Sequence, residues 1–439
     1  MDFGIIVIGV IVVVVAIVLF VSKSRNKSLS LKEQKKPSRS LADILARDPH
    51  QSVRNAIAGN PNTPVYLLEV LAGDKDEVVR GFVARNPSTP SALLEKLSHD
   101  GGLVTDGVAM NTHTPGYLLT ELARRTLDDK ALGWHIAENP STPAETLEFL
   151  SDRFMAQVAR NPSTPQHVLE RLAEYEDTSQ PEKGLTGRYS VRSEVASNPS
   201  TPDCLLEKLA FDKAGSVRYG VEINPSTSPS VLASIYERTV SELEEADARE
   251  SQGDKRGCES MRREAYETRR YIGGNPAIPT QILRVLAADS NVGVREYVAG
   301  NPNAPADLLV ELAEDWEESV RKNVAGNSNT PADCLASLAT DSSVEVRIKL
   351  SENPNVPVET MRILARDEDS IVHDGVAANK ATPVDVLEEL SWESGSFVQA
   401  AVGANPSTPT HILIRMANDD FFGIREGVAH NPVVQSIYV

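Results

Sequence analysis

The sequence is poor in the residues that most enzymes and metal-binding proteins rely on. Aromatic residues make up only 5% of its 439 residues, and the three cysteines, Cys204, Cys258 and Cys334, lie far apart. They form no C-x-x-C spacing, so they predict neither a disulfide framework nor a metal cluster. The scarcity of aromatic rings favours a long, shallow core of Leu, Val and Ala between thin helices.

Catalytic motifs are also missing. The chain has no G-x-S-x-G, H-E-x-x-H, phosphate-binding loop or dinucleotide fingerprint, and its eight histidines occupy unrelated contexts. The sequence therefore predicts no catalytic residue, metal or cofactor. The alternative is a lyase-like enzyme on a helical-repeat fold, which would need one concentrated pocket of ionisable groups. Trp134 and His135 are the only local candidates for such a pocket, and packing explains them more simply.

The charge distribution separates the beginning of the chain from the rest. The net charge is −18, but the first forty residues carry +5 and the remainder −23. A surface as acidic as the remainder repels phosphate backbones, so nucleic acid is excluded as a predicted partner.

One long apolar run stands at the start of the chain. Residues Phe3–Val21 are uninterruptedly apolar, and the Lys and Arg residues lie only after them. This pattern predicts a transmembrane helix in residues 1–22, with the N-terminus outside, a basic flexible linker at 23–40 and a cytoplasmic repeat domain at 41–439. A cleaved signal peptide is disfavoured, because no basic residue precedes the run and no good cleavage site follows it.

The rest of the chain is an internal repeat. Its anchor is an Asn, usually followed by Pro, and the last six steps between anchors are 26 residues each. A repeat this short cannot bury a core alone and must stack on its neighbours. The anchors are Asn60, Asn86, Asn111, Asn139, Asn161, Asn198, Asn224, Asn275, Asn301, Asn327, Asn353, Asn379, Asn405 and Asn431.

The sequence pattern within each repeat predicts two short helices. In the first complete repeat Thr63 is a suitable N-cap and Pro64 a suitable first helical residue, and an apolar stripe follows at residues 67–72. Val79 and Val83, four residues apart, mark the apolar side of a second helix, which ends before the next Asn-Pro corner. Corners of fixed shape predict that the repeats wind into a regular superhelix.

Two polar residues recur with the repeat. The Asn anchors could form a row of ligand-binding amides, but satisfying backbone groups at the corners is the simpler role. Six residues before the anchor an Arg recurs, at Arg54, Arg80, Arg192, Arg218, Arg269, Arg295, Arg321, Arg347 and Arg425. These Arg residues could grip an acidic partner. Since an Asp accompanies them, a row of salt bridges between repeats is favoured. Those acidic residues are Asp74, Asp100, Asp212, Asp289, Asp315, Asp341 and Asp367.

The pattern D-x-x-V-R-x-x-V-A-x-N-P-x-T-P-x-x-L-L-x-x-L-A, seen in residues 74–97, resembles the variant leucine-rich repeat family. The resemblance covers residues 42 to 435 and implies an all-α, right-handed solenoid of paired helices, akin to HEAT and armadillo arrays, without a sheet. It allows 3₁₀ character in one helix of each pair. The sequence departs from the pattern at residues 101–106 and 127–135, and in the short step from Asn139 to Asn161. It lacks the cysteine cluster of some relatives, so nothing supports an iron–sulfur site.

Two insertions interrupt the period. The first predicts a surface loop near residues 175–190. The second predicts a helical hairpin near residues 235–271, with an acidic first arm and a basic second arm. The hairpin is either a self-neutralised pair of surface helices or a docking arm, whose candidate partner-binding residues are Glu242, Glu245, Arg262, Arg263 and Arg269. It is expected to lie outside the stack, so that deletion of residues 241–269 leaves the array folded.

These observations predict a membrane-anchored interaction scaffold. The partner is expected to be a protein or peptide, bound in the groove of the solenoid or at the hairpin. The last residues, 436–439, could be captured by a partner groove but more simply cover the final repeat.

Overall fold

The structure is a computed structural model, which describes residues 40–125, 129–175, 190–393 and 395–437. These ranges are helical and contain no β-strand. The predicted transmembrane helix and the core of the predicted loop insertion lie outside them. None of the helices within the described ranges is long and apolar enough to cross a membrane.

The helices follow one another with short corners between them. In chain order they are α1 Leu41–Leu45, α2 Gln51–Gly59, α3 Val65–Leu71, α4 Glu77–Arg85, α5 Ser91–Leu97, α6 Gly102–Met110, α7 Gly116–Arg125, α8 Lys130–Glu138, α9 Ala144–Leu150, α10 Met155–Arg160, α11 Gln166–Ala173, α12 Val191–Ser197, α13 Asp203–Leu209, α14 Gly215–Ile223, α15 Pro229–Ser251, α16 Lys255–Gly274, α17 Thr280–Ala287, α18 Val292–Ala299, α19 Ala306–Leu312, α20 Glu318–Gly326, α21 Ala332–Leu338, α22 Val344–Ser351, α23 Val358–Leu364, α24 Ser370–Ala378, α25 Val384–Leu390, α26 Ser396–Ala404, α27 Thr410–Met416 and α28 Phe422–His430, followed by the 3₁₀ helix η1 Val434–Ser436. Among the residues that the structure describes, both helices of each repeat are therefore α-helical, and the 3₁₀ character allowed by the resemblance appears only in η1.

The helices form two layers. Each even-numbered helix packs directly on the even-numbered helix of the next repeat, whereas successive odd-numbered helices make few close backbone contacts. Because both layers hold one helix per repeat, the more closely spaced layer lies at the smaller radius. We call the even-numbered helices the inner helices and the odd-numbered helices the outer helices.

Close packing of the inner layer depends on small residues. A Cβ atom at Gly107 of α6 would lie 2.9 Å from the carbonyl oxygen of Gly81 in α4, closer than van der Waals contact allows. At Gly427 of α28 a Cβ would collide with the backbone of Ala400 in α26. Glycine at these points lets neighbouring inner helices approach backbone to backbone.

The array closes on itself, which the repeat pattern alone did not predict. The last inner helix, α28, packs against the first, α2. Arg425 forms a salt bridge with Asp48 at 2.8 Å, and the Leu41 amide donates to the Ile437 carbonyl at 2.7 Å. The expected superhelix is therefore a ring of fourteen inner helices. We call the contact between α28 and α2 the seam, and Ile437 covers it from the C-terminal side.

The size of the ring follows from helix packing. Neighbouring helix axes lie roughly 8–10 Å apart, so fourteen inner helices give a circle about 35–45 Å across between axes. Since a helix with its side chains is about 10 Å wide, the central opening is roughly 25–35 Å across.

The anchor asparagines form a closed circle of hydrogen bonds. The side-chain amide of Asn353 donates to the carbonyls of Ala325 and Asn327 in the preceding repeat, at 2.7 and 3.0 Å, while its oxygen accepts the Asn355 amide. The same pair of donated bonds occurs at all fourteen anchors, and Asn60 completes the circle by donating to Ala429 and Asn431. These amides are buried and hold each repeat to the one before it.

Where a threonine follows the Asn-Pro corner, it does not serve as the predicted N-cap of the next helix. Pro64, not Thr63, is the N-cap of α3, and it provides no side-chain hydrogen bond to the helix. The Thr63 hydroxyl instead donates to the carbonyl of Ile57, at 2.6 Å, near the end of α2. Thr63 therefore satisfies the end of the preceding helix, because the proline holds the next helix start in an extended conformation.

The recurrent Arg and Asp pair between successive repeats. Arg295 contacts Asp315 at 2.7 Å, and both side chains are buried. Burial alone would raise the pKa of Asp315, but hydrogen bonds from Arg295 and the Glu317 amide hold it below its usual value. The same pairing joins Arg54 to Asp74, Arg80 to Asp100, Arg192 to Asp212, Arg269 to Asp289, Arg321 to Asp341 and Arg347 to Asp367. We call this series the ladder.

Candidate binding site at the root of the helical hairpin

The second insertion forms a hairpin at one edge of the ring. Its arms are α15, an outer helix lengthened at its end, and α16, an inner helix lengthened at its start. The hairpin therefore projects from the edge opposite the Asn-Pro corners. Near its tip Arg262 bridges Asp247 and Glu250, at 2.5 and 2.6 Å, so the two arms neutralise each other there.

The five candidate partner-binding residues do not converge on one surface. Glu242 contacts Arg238, Glu245 pairs with Arg249 one turn along α15, and Arg262 belongs to the tip. Arg263 lines a cleft at the root of the hairpin. Arg269 forms a salt bridge with Asp289 at 2.9 Å and is part of the ladder.

Part of the sequence expected to lie outside the stack belongs to the ring. Besides the ladder residue Arg269, the buried Thr268 donates to Glu222 of the neighbouring inner helix at 3.1 Å. Deletion of residues 241–269 would remove both, so that boundary is wrong. Deletion of residues 240–264 instead restores the 26-residue step without cutting into the inner-helix portion of α16.

The ladder is interrupted at the hairpin root. Arg238 occupies the position fourteen residues after an anchor, where eight other repeats have Asp. Arg218 therefore pairs with Glu264 on the hairpin. Arg238 turns toward Glu222, at 3.4 Å, and Glu242, at 3.4 Å. The root of the hairpin is thus a cluster of three carboxylates and two guanidinium groups in place of one simple pair.

Glu222 is the most unusual member of this cluster. It lies two residues before its anchor, where every other repeat has Ala, Gly or Ser. Its side chain is 4% exposed and accepts hydrogen bonds from Thr268 and Arg238. Burial raises the pKa of Glu222 to about 7, although Arg238 and Thr268 act in the opposite direction. The carboxyl group therefore changes its charge near neutral pH.

Replacing Glu222 with Gln is expected to flatten the dependence of stability on pH. Because the folded pKa is raised from 4.5 to about 7, the folded protein holds a proton that the unfolded chain releases. The stability that this group contributes is fully present below pH 4.5, decreases as the pH rises above 4.5, and is lost once the pH has passed 7, in all by about 3 kcal/mol. Urea unfolding at pH 5 and pH 8 measures the difference.

Glu242→Gln provides the comparison for this prediction. Glu242 is half-buried, and burial also raises its pKa, as do the charges of Glu264 and Glu245. Its effect should be in the same direction but smaller, since the side chain reaches solvent. A Glu222→Gln protein that loses stability between pH 5 and pH 8 as the unaltered protein does would contradict the assignment to Glu222.

Three tyrosines cross the inner wall beside this cluster. Tyr219 and Tyr271, on α14 and α16, meet edge to face with ring centroids 4.5 Å apart. Tyr271 and Tyr297, on α16 and α18, meet in the same way at 5.9 Å. We call these three residues the tyrosine row. Tyrosine at a solvent-facing position supplies a large rigid contact area with a polar end, as protein interfaces commonly use.

Two open cavities lie along the tyrosine row. A cleft of about 570 Å³ at the hairpin root is lined by Tyr219, Glu222, Thr268 and Tyr271, together with charged residues of both signs. A second pocket of about 310 Å³ lies between Tyr271 and Tyr297. Since Tyr271 belongs to both, the cavities form one continuous surface across neighbouring repeats.

Sequence comparison identifies the repeat family. Residues 78–101 and 292–316 match the family model described as leucine rich repeat variant. These two segments of the chain carry variant leucine-rich repeats. A solved structure titled "a leucine-rich repeat variant with a novel repetitive protein structural motif" is 19% identical, with a TM-score of 0.26, and the match covers 63% of this chain and 86% of that one. Among curated protein sequences none matches significantly.

The candidate site lies at the longest interruption of the repeat, between Asn224 and Asn275. Sequence reasoning missed Glu222 and the tyrosine row, although Glu222 breaks an otherwise uniform register of small residues. The pair proposed for an enzyme, Trp134 and His135, lies elsewhere, on α8, where Trp134 is 47% exposed. In the described part of the chain, no group of three or more His, Cys, Asp and Glu side chains is placed to hold a metal ion.

Proposed function

We propose that the protein is a membrane-anchored interaction scaffold that binds a protein partner along the tyrosine row. One observation carries the proposal: the longest insertion and two other departures from the repeat converge on one sector of the ring. The hairpin, Glu222 and three tyrosines meet there, and both cavities open onto the same wall. Elsewhere the recurrent Asn, Arg and Asp are occupied by contacts between repeats.

The shape of this surface suits a peptide or protein better than an enclosed small substrate. Its lining residues come from α14, α16, α18 and α20, so it extends across four consecutive inner helices. Large rigid tyrosines at the centre of such a surface are typical of residues that dominate binding energy.

The proposed anchor is the apolar run Phe3–Val21, followed by basic residues that favour the cytoplasmic side. The first described residue, Ser40, lies at the seam, where its hydroxyl and Asp43 cap α1 reciprocally. The eighteen residues 23–40, fully extended, span at most about 60 Å. A ring held by this linker would stay close to the cytoplasmic face of the bilayer.

Photo-crosslinking at Tyr271 tests the proposal. A photoreactive residue at Tyr271 is expected to capture a discrete partner protein from intact membranes, because its side chain lies at the centre of the tyrosine row. The matched control is the same residue at Tyr117, which is 58% exposed on the outer helix α7. In a chain lacking residues 1–22 the adduct should move to the soluble fraction. Equal capture at both positions, or none at Tyr271, would refute the scaffold proposal.

A second candidate function rests on Glu222. A carboxyl group with a pKa of about 7 suits proton transfer at neutral pH, and it faces the cleft beside the Arg218–Glu264 pair. This arrangement supports an enzyme acting on a substrate in the cleft. The two functions differ in their response to Glu222→Gln, which would abolish turnover by general acid–base catalysis but leave partner capture at Tyr271 largely intact.

A further inference from the structure

The pocket between Tyr271 and Tyr297 has a chemistry distinct from that of the cleft beside it. The residues that line it include one charged side chain, Glu296, and none that is positively charged. By contrast, Lys213, Arg218 and Arg263 line the neighbouring cleft together with three glutamates. The pocket is therefore the more selective of the two cavities with respect to charge.

Missing side chains create the space in this pocket. Gly274 and Gly300 each lie immediately before an anchor Asn, where ten other repeats have side chains such as Arg85 or Glu138. A Cβ atom at Gly274 would lie 2.9 Å from Cδ1 of Tyr297, so Tyr297 rests directly on the glycine. Gly274 thus makes room for the Tyr297 ring, whereas Gly300 leaves space at the floor of the pocket in front of Asn323.

The polar groups of the pocket are hydrogen-bond acceptors. The Asn323 amide nitrogen donates to the carbonyl of Ser319 at 2.9 Å, which leaves its oxygen as an acceptor. That oxygen lies 3.6 Å from the position of a Cβ at Gly300, at the pocket floor. Glu296 has no ion-pair partner among the described residues, so its carboxylate is available to a ligand.

The aromatic rings add to the attraction for positive charge. The face of a tyrosine ring attracts a cation through its quadrupole. Tyr297 already makes such a contact with Arg270, whose guanidinium carbon is 5.0 Å from the ring centroid. Arg270 is not among the residues that line the pocket, so its guanidinium group does not occupy the pocket.

We propose that this pocket binds the cationic side chain of an arginine or lysine in the partner protein. A carboxylate, an amide oxygen and two tyrosine rings offer acceptors and negative potential, while a guanidinium or ammonium group offers only donors. The chain as a whole carries a net charge of −18, so a basic partner is also attracted at longer range. The identity of the ligand as part of a partner protein rests on the proposed scaffold function. The binding test described next does not depend on that function.

Titration of the full chain in detergent with two short peptides tests the proposal. One is acetyl-Gly-Gly-Arg-Gly-Gly-amide, and the other replaces Arg with citrulline, which has nearly the same shape but no charge. Because hydrogen bonds to charged groups are worth about 1.5–3 kcal/mol, the Arg peptide should bind roughly ten-fold or more tightly than the citrulline peptide. Calorimetry or tyrosine fluorescence follows the binding.

Two substitutions at the same register complete the experiment. Glu296→Gln should weaken binding of the Arg peptide about ten-fold, through loss of the charged acceptor. Glu426→Gln is the matched control, since Glu426 also lies five residues before its anchor but far from the tyrosine row. The Glu426→Gln protein should bind the Arg peptide with the same affinity as the unaltered protein. Thermal melting monitored by circular dichroism checks that both variants are folded.

The outcomes separate this inference from the scaffold proposal. Equal binding of both peptides, or undiminished binding of the Arg peptide by Glu296→Gln, overturns the cationic pocket. If a partner still crosslinks at Tyr271 in that case, the scaffold proposal stands without it. If the Arg peptide binds as expected but Tyr271 captures no protein, the pocket stands and the scaffold proposal falls.

Discussion

Replacing Asn353 with Ala is expected to lower the free energy of unfolding by about 3–5 kcal/mol, because several buried polar groups lose their partners together. The Asn353 amide donates to two carbonyls of the preceding repeat, and its oxygen accepts the amide of Asn355. The side chain is 2% exposed, so water cannot replace these bonds without opening the corner. Urea unfolding followed by far-ultraviolet circular dichroism measures the change.

Asn355→Ala is the matched control for this substitution. Asn355 also donates to a carbonyl of the preceding repeat, that of Ser328 at 2.7 Å, but it is exposed. Water can take its place there, so the expected loss is under about 1 kcal/mol. Similar losses for Asn353→Ala and Asn355→Ala would show that the circle of asparagines contributes little beyond its surface bonds.

Removing residues 406–439 is expected to have the largest effect, since it opens the ring. The deletion takes away α27, α28 and η1 and leaves the faces of α2 and α26 without neighbours. Val53 and Ile57 of α2, now completely buried, would be exposed to water. Each fully buried side chain of this size contributes about 1.5–3 kcal/mol, so exposure of these two alone should cost about 3–6 kcal/mol, and the freed face of α26 adds to this loss. Hydrogen exchange should show lost protection in α2 and α26.

The hairpin deletion provides a control of comparable size. Removing residues 240–264 restores the 26-residue step and leaves both Arg238 and the seam in place. This variant should keep the protection of α2 and a compact scattering profile. If the protein lacking residues 406–439 retained the same urea midpoint and the same protection in α2, the ring would not be closed in solution.

The sequence predicted the repeat unit well because its signals are local. Prolines fix the corners, Leu and Val form stripes with a helical period, and Asn recurs at each corner. Closure is different, because it depends on the sum of fourteen small rotations of about 26° each. An error of two degrees per repeat leaves a gap of roughly 28°, which no local pattern reveals. The assignment of Thr63 as N-cap failed because the sequence does not show which helix its hydroxyl faces.

The candidate site was harder to predict than the fold. Tyr219 lies five residues before its anchor, whereas Tyr271 and Tyr297 lie four residues before theirs. They look unrelated along the chain, yet the packing of adjacent inner helices brings their rings together. Arg269 and Glu245 looked alike as charged hairpin residues, but one is a ladder member and the other an exposed neighbour of Arg249. The two residues can be distinguished only once it is known which part of the hairpin belongs to the ring and which part is inserted.

Closure also constrains how this chain can diverge. An open solenoid can gain or lose a repeat at either end, but here such a change would break the circle at Asn60 and Asn431. Steps between anchors nonetheless vary from 22 residues, between Asn139 and Asn161, to 51, between Asn224 and Asn275. The ring therefore accommodates repeats of different length, and Asn161 and Asn275 still donate the two anchor hydrogen bonds. Because Leu41 and Ile437 are hydrogen-bonded neighbours, the ring has no intrinsic starting point and suits circular permutation.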